Sequence, residues 1–236
     1  MSELPEDMLF QAENFSGKAR LFPLPNLVLF PHVLQPLHVF EARYRDLVEE
    51  ALAADRLIAM ALLAPGWEAD YEGRPPVHPM ACLGRIVTHH RLEDGRYNLL
   101  LAGVHRIRLL RELAPDKSFR EAEAQTCEDA YASHGALERP ALRRRLLETF
   151  RSMASTLDEA HSQLEPLLAS EISLGMLTDL VAYTLELSVA TKQRLLSEAD
   201  VDRRAELLLS VLADPANRRA AGNAPANRFP PGFSMN

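Results

Sequence analysis

Three lysines, two cysteines and a scatter of histidines are the side chains in this sequence best suited to catalysis or metal binding. A Ser-Lys hydrolase needs a lysine desolvated enough to act as a base. Lys18 lies in an acidic, proline-broken lead-in, Lys117 between two strand candidates and Lys192 near a helix start, and none sits in a motif of that type. A phosphate loop needs two glycines five apart followed by Lys-Ser/Thr, so that backbone N–H groups wrap the phosphate. None of the ten glycines has that spacing, and neither Gly-x-Ser-x-Gly nor His-Glu-x-x-His occurs. His78, Cys82, His89 and His90 fall within one short stretch. Neighbours on a strand point to opposite faces, so at most one of His89 and His90 joins Cys82, and no Cys-x-x-Cys pair supports them. The expectation is no catalytic residue, no cofactor and no metal.

Composition narrows the partners. A formal net charge of -7 argues against a surface coated by nucleic acid, and Arg143, Arg144 and Arg145 read as one solvated helical face. Cys82 and Cys127 alone do not make a disulfide framework in a chain of 236 residues. The longest apolar stretch, Ile172 to Leu187, is interrupted by Asp179 and Glu186 and falls short of the ~20 residues that a spanning helix needs. A cytoplasmic protein without membrane contact is expected.

The elements that must position any site change character midway. Leu21 to Pro31 is apolar but holds three prolines, which predicts short strands at edges or bends. Leu37 to Phe40 predicts another short strand. Tyr44, Leu47, Val48, Ala51 and Leu52 recur at helical steps, with Glu41 in the first turn. Arg56 to Leu63 reads as a buried strand and Pro65 to Pro79 as a loop. Strands follow at Cys82–Arg91, Arg96–Ala102, Val104–Leu110 and Phe119–Cys127, with Glu93-Asp94-Gly95 as a turn and Gly103 as a break. Leu142, Leu146, Phe150, Met153 and Leu157 then mark a long helix. Further helices are expected at Leu174–Leu187, from a Ser188 cap to Glu198, and from an Asp200 cap to Leu212. Ala216 to Asn236 has the composition of a disordered tail.

Several blocks together carry a family resemblance. Leu21-Phe22-Pro23-Leu24-Pro25, Val28-Leu29-Phe30-Pro31 and Pro36-Leu37-His38-Val39-Phe40-Glu41-Ala42-Arg43-Tyr44-Arg45 resemble the opening of the Lon N-terminal, substrate-binding domain. The Phe-Glu-x-Arg-Tyr-Arg form is closest to its small stand-alone bacterial members. Leu83-Gly84-Arg85-Ile86-Val87, Asp94-Gly95-Arg96-Tyr97 and Gly103-Val104-His105-Arg106 are similar to its next blocks. Leu177-Thr178-Asp179-Leu180, Lys192-Gln193-Arg194-Leu195-Leu196 and Arg203-Arg204-Ala205-Glu206-Leu207-Leu208 are similar to its helical end. One departure is visible: Pro25-Asn26 stands where Lon proteases usually carry Arg-Asp.

The resemblance implies an α+β fold, a PUA-like β pseudo-barrel followed by a C-terminal helical bundle. The expected division is a flexible lead-in over 1–20, barrel over 21–130, bundle over 131–213 and disordered tail over 214–236. It also implies a non-catalytic recognition module lacking the ATPase and protease domains. Its partners would be unfolded or extended protein segments, or a protease partner, with self-association possible because the domain contributes to assembly in Lon. RNA binding through the PUA-like barrel and a cryptic peptidase are the alternatives. Phe30, Leu37, Phe40, Arg43 and Tyr44 are candidates for lining a peptide groove where barrel meets bundle. Glu41 and Arg106 are candidates for a structural ion pair, because breaking a partly buried pair is strongly penalised.

Overall fold

The computed structural model describes residues 11–154 and 172–214, and the backbone of 234–235. The chain opens with β1 (Lys18–Leu24) and β2 (Leu34–Val39), crosses through α1 (Ala42–Ala53) and continues with β3 (Leu57–Leu62). Three longer strands follow: β4 (Met80–Arg91), β5 (Tyr97–Glu112) and β6 (Arg120–Cys127). Among the described residues, four helices come next: α2 (Arg139–Ala154), α3 (Leu174–Thr184), α4 (Val189–Ser197) and α5 (Val201–Ala213). A two-residue strand, β7, spans Ser234–Met235.

Five strands close a ring in the order β4-β3-β1-β6-β5, with β5 returning to β4. β1 and β3 run parallel and the other pairs of the ring antiparallel. Side chains alternate across each strand, and β1, β3, β4 and β5 each feed two apolar clusters. The smaller cluster takes Leu21, Ala59, Ala81, Leu83, Ile107, Ala122 and Ala124, drawn from all five strands, and therefore fills the ring. Its alanines suit a bore only five strands wide. The opposite faces of β1, β3 and β4 send Phe22, Met60, Cys82 and Ile86 into a larger core shared with β2, α1 and the C-terminal helices. β3 is thereby buried on both faces, which is why its sequence, LIAMAL, lacks polar alternation.

Two expectations about the strands are corrected. β1 belongs to the closed ring and is not an edge strand. It pairs with β6 only over Lys18–Leu21 and with β3 only over Leu21–Leu24, so Pro23 has a strand neighbour on one side alone. A residue lacking an N–H fits there without breaking a ladder, and the Pro23 carbonyl accepts the Tyr44 hydroxyl at 3.2 Å. The second correction concerns Gly103, which does not end a strand: Arg96–Ala102 and Val104–Leu110 are parts of one 16-residue β5. Gly103 marks the place where β5 changes neighbour, from β2 before it to β6 beyond it. The 30–33 segment crosses β5 there, with the His32 N–H donating to the Gly103 carbonyl and the Gly103 N–H to the Val33 carbonyl, both at 2.8 Å.

The helix periodicity holds closely. α1 buries Tyr44, Leu47, Val48 and Ala51, with Glu41 as the residue before its first turn. Ser188 and Asp200 cap α4 and α5 through their side chains, and Pro140 sits in the first turn of α2. The lead-in is shorter than expected, since β1 starts at Lys18. Residues 1–10, Leu157 and most of the expected disordered tail lie outside the described residues. No described helix is long and apolar enough to cross a membrane.

The crossing at Gly103 gives the first prediction. A Cβ there would lie 1.9 Å from the Phe30 carbonyl oxygen, a backbone atom that cannot swing away. Gly103→Ala is expected to destabilise the chain by about 1–3 kcal/mol or more through overpacking. Urea unfolding measures this as a lowered midpoint at unchanged slope.

Candidate functional site

The peptide-groove candidates part company in the structure. Phe30, Leu37 and Tyr44 are 0%, 1% and 2% exposed, and all three belong to the large core, so they do not line a surface groove. Apolar residues at strand and helix spacing have gone to the core, as their hydrophobicity favours. Phe40 and Arg43 instead face a cleft of about 540 Å³ at the start of α1, together with Glu41, Ala42, Tyr71 and Glu72. Phe40 is 40% exposed and places an apolar ring beside the charged groups of the cleft.

The cleft wall is built by stacking and charge. Arg43 Nε donates to Glu41 Oε2 at 2.9 Å, and the Tyr71 hydroxyl donates to Glu41 Oε1 at 2.9 Å. The Arg43 guanidinium carbon lies 4.9 Å from the Tyr44 ring centre and 5.1 Å from that of Tyr71, so two aromatic rings hold the cation. Burial, and then the hydrogen bond to Glu41, pushes the Tyr71 hydroxyl above its ordinary value, which keeps it a donor. A planar cation, a phenol and two carboxylates next to an exposed phenyl ring offer an apolar contact flanked by hydrogen-bonding groups.

Glu41 is therefore committed to Arg43 and Tyr71, and the expected Glu41–Arg106 ion pair does not form. Arg106 points to the other end of the molecule. It grips Asp179 of α3 with two hydrogen bonds, Nη2 to Oδ1 at 2.5 Å and Nη1 to Oδ2 at 2.9 Å. Its Nε donates to the Leu196 carbonyl in the last turn of α4 at 3.1 Å, where a cation also suits the helix dipole. Arg204 of α5 makes the matching fork on Asp129, at 2.9 and 2.6 Å, and its Nε reaches Thr178 Oγ1 at 3.0 Å. An Arg106 Nη1 contact to Asp129 at 3.4 Å joins the two pairs. The side chains of Arg106, Arg204 and Asp179 are 2%, 1% and 0% exposed and that of Asp129 is 24% exposed, so two cations and two carboxylates form a neutral cluster, buried but for its Asp129 rim, between barrel and bundle. The expected groove at that junction is occupied by this cluster and by the shared core.

Sequence reasoning quoted Asp179 and Arg204 in their blocks but gave them no role. The available signal was Asp179 itself: a carboxylate inside the apolar run Ile172–Leu187 cannot be buried without a partner. Gly175 is part of the same arrangement. A Cβ on this α3 residue would meet Asp129 Oδ2 at 2.2 Å, so only glycine lets the carboxylate approach the helix so closely.

Among the described residues, no group of three or more His, Cys, Asp or Glu could hold a metal ion. Cys82 is fully buried and burial pushes its thiol far above the ordinary value, which removes it as a nucleophile or ligand. The lysines are engaged. Lys18 pairs with Glu121 at 3.0 Å, Lys117 with Glu50 at 2.5 Å, and Lys192 donates to the Tyr183 carbonyl at 3.0 Å.

With this geometry in view, the comparisons with known proteins fall into place. The family profile described as the ATP-dependent protease La (LON) substrate-binding domain matches residues 18–214. The chain belongs to the Lon substrate-binding domain family. Lon protease 2 of Myxococcus xanthus is 26% identical over 204 residues, covering 86% of this chain and 24% of that protein. The Lon protease of Dictyoglomus thermophilum is 28% identical over 206 residues, covering 85% and 25%. The chain thus spans about a quarter of the length of these relatives. A solved Lon N-terminal domain protein from Xanthomonas campestris is 26% identical with a TM-score of 0.57, over 82% of this chain and 97% of its own. The N-terminal domain of the Mycobacterium avium complex Lon protease aligns with a TM-score of 0.66 over 84% and 99%. At 16% identity that likeness is one of fold. The α+β class, barrel first and helices after, is the one that the Lon resemblance implied.

The buried cluster has a pH signature. Burial works against the Asp129 charge, but the hydrogen bonds and charge of Arg204 outweigh it and hold the carboxyl below the ordinary aspartate value of 3.8. On acidification the unfolded chain takes up this proton first, so the stabilisation is complete above that value and is lost as pH falls through the lower folded value. Asp129→Asn is expected to be less stable than the parent at neutral pH. Urea unfolding from pH 7 downward is expected to show the gap constant until about pH 4 and closing below it.

Proposed function

We propose that this chain is a non-catalytic recognition module that binds extended or unfolded segments of client proteins at the Phe40–Arg43 cleft. Membership of the substrate-binding family supports recognition of protein substrates, and the observation that carries the site is the exposed Phe40 ring beside the stacked Arg43. The phenyl ring contributes an apolar contact of the kind found at binding hot spots. The Arg43 guanidinium is rigid enough to meet peptide carbonyls, and the Tyr71 oxygen, whose proton goes to Glu41, to accept from peptide N–H groups, without a large loss of side-chain freedom. Glu72 biases the cleft towards segments that carry a basic residue, while the Glu41 charge is already met by Arg43.

The non-catalytic part rests on Lys18 and Lys117, each held by carboxylates, and on the inert Cys82 thiol; burial pushes Lys192 down to about 8, and its ammonium is spent on the Tyr183 carbonyl. A lysine held by carboxylates, as Lys117 is by Glu50 and Glu121, stays protonated and is no general base.

The test is fluorescence anisotropy with a labelled, reduced and carboxymethylated protein that cannot fold. Micromolar binding without cleavage of the probe is expected. Phe40→Ser leaves a surface position polar and is expected to weaken binding about tenfold, roughly 1.4 kcal/mol, with no change in stability. Absence of binding, binding indifferent to Phe40→Ser, or cleavage of the probe would each contradict the proposal.

A further inference from the structure

β2 is the strand that lies outside the closed ring. One side pairs with β5 from Leu34 to Val39, and the other side is an edge. Exposed edges invite pairing with other chains, and proteins usually blunt them. The first half of this edge is blunted by its own neighbours. The Tyr183 hydroxyl of α3 donates to the Leu34 carbonyl at 3.0 Å. That carbonyl points away from β5, and by alternation the backbone groups of Pro36 and His38 point the same way. Pro36 has no N–H to offer, and Gln35 Nε2 donates to its carbonyl at 2.8 Å. Gln35 is itself held in place by the Tyr183 hydroxyl, at 3.1 Å from Oε1.

The second half carries no such block. There Leu37 pairs with Ser234 and His38 with Met235, in parallel, so a segment of this chain almost 200 residues further on completes the sheet. A parallel strand at this position runs in the direction of β2 and leads from Leu37 towards Phe40, where the client cleft begins.

We infer that the Leu37–Val39 edge is a strand-addition site for an extended peptide, and that Ser234–Met235 holds it in cis as an intramolecular competitor. Backbone pairing of this kind recognises extension and not sequence. It deepens the proposed function and rests on it for the identity of the incoming peptide. A client segment would displace Ser234–Met235, add to β2 in parallel and continue into the cleft beside Phe40. Because the competitor is tethered, it acts at a high effective concentration, and only clients that also gain the cleft contacts displace it.

The test uses the full chain with Ser234→Pro and Met235→Pro together, since proline removes the one N–H of the pair that faces β2 and disfavours pairing of the segment as a strand. Hydrogen exchange at the His38 amide is expected to become about tenfold faster or more in this variant. It should slow again when a peptide with the sequence of residues 229–236 is added. The unfolded probe should bind the variant several-fold more tightly than the parent. Equal His38 exchange in parent and variant overturns the inference. If Phe40→Ser still abolishes probe binding in that case, the client cleft stands and the cis competitor alone fails. If His38 exchange responds but no probe binds either protein, the cis strand stands and the client reading fails.

Discussion

The fork of Arg106 on Asp179 is the most deeply buried ion pair joining barrel and bundle. β5 supplies the arginine and α3 the aspartate, and neither side chain has water to fall back on. Burying a single ion costs several kcal/mol even after relaxation, so the pair persists only because every nitrogen and both carboxylate oxygens are used. Arg204 and Asp129 repeat the solution one layer out, which ties the linker after β6 to α5. The backbone follows the same path: Ala130 bridges to Asp200 and the Val201 N–H donates to the Ala130 carbonyl at 3.0 Å. A burial of this sort contributes little net stability compared with an apolar replacement, but removing one partner leaves a buried charge uncompensated. Around it, Gln193 of α4 reaches the Met80 carbonyl and Tyr183 of α3 reaches the β2 edge, so two helices are registered against β2, β4 and β5.

Much of this was legible in the sequence, and the parts that were not have a common cause. Helix faces, caps and the order of elements depend on local spacing, and α1, α4 and α5 lie close to where periodicity puts them. The exchange of partners for Arg106 was not legible. Its true carboxylate is 73 positions away, and only tertiary closure brings the two together. Gly103 failed for a related reason: a glycine in a strand reads as a break, while its real purpose is to let the Phe30 segment cross close above it. The candidate site divided along the same line. Phe30, Leu37 and Tyr44 sit at spacings that a core and a groove share, and which of the two they enter is decided by α1 packing over β1, with the Phe22 and Tyr44 rings stacked 4.2 Å apart.

The proposed recognition surface would benefit from that rigidity. Phe40 and Arg43 sit where β2 ends and α1 begins, one strand and one helix that both feed the large core. A residue anchored in this way keeps its exposed ring in place before a partner arrives, which lowers the entropic cost of binding. The β2 edge extends the same surface with backbone groups, so apolar contact, charge and strand pairing follow one another along a single stretch of chain from Leu37 to Arg43.

The central claim is that the buried charge cluster makes barrel and bundle one cooperative body. Native-state hydrogen exchange tests it most directly, by comparing the slowest amides of β3 inside the barrel with those of α5 in the bundle. The account predicts that both sets open with the same free energy and respond equally to low denaturant, as parts of one global unfolding. If the α5 amides open at a distinctly lower free energy while β3 stays protected, the bundle melts alone and the claim is contradicted.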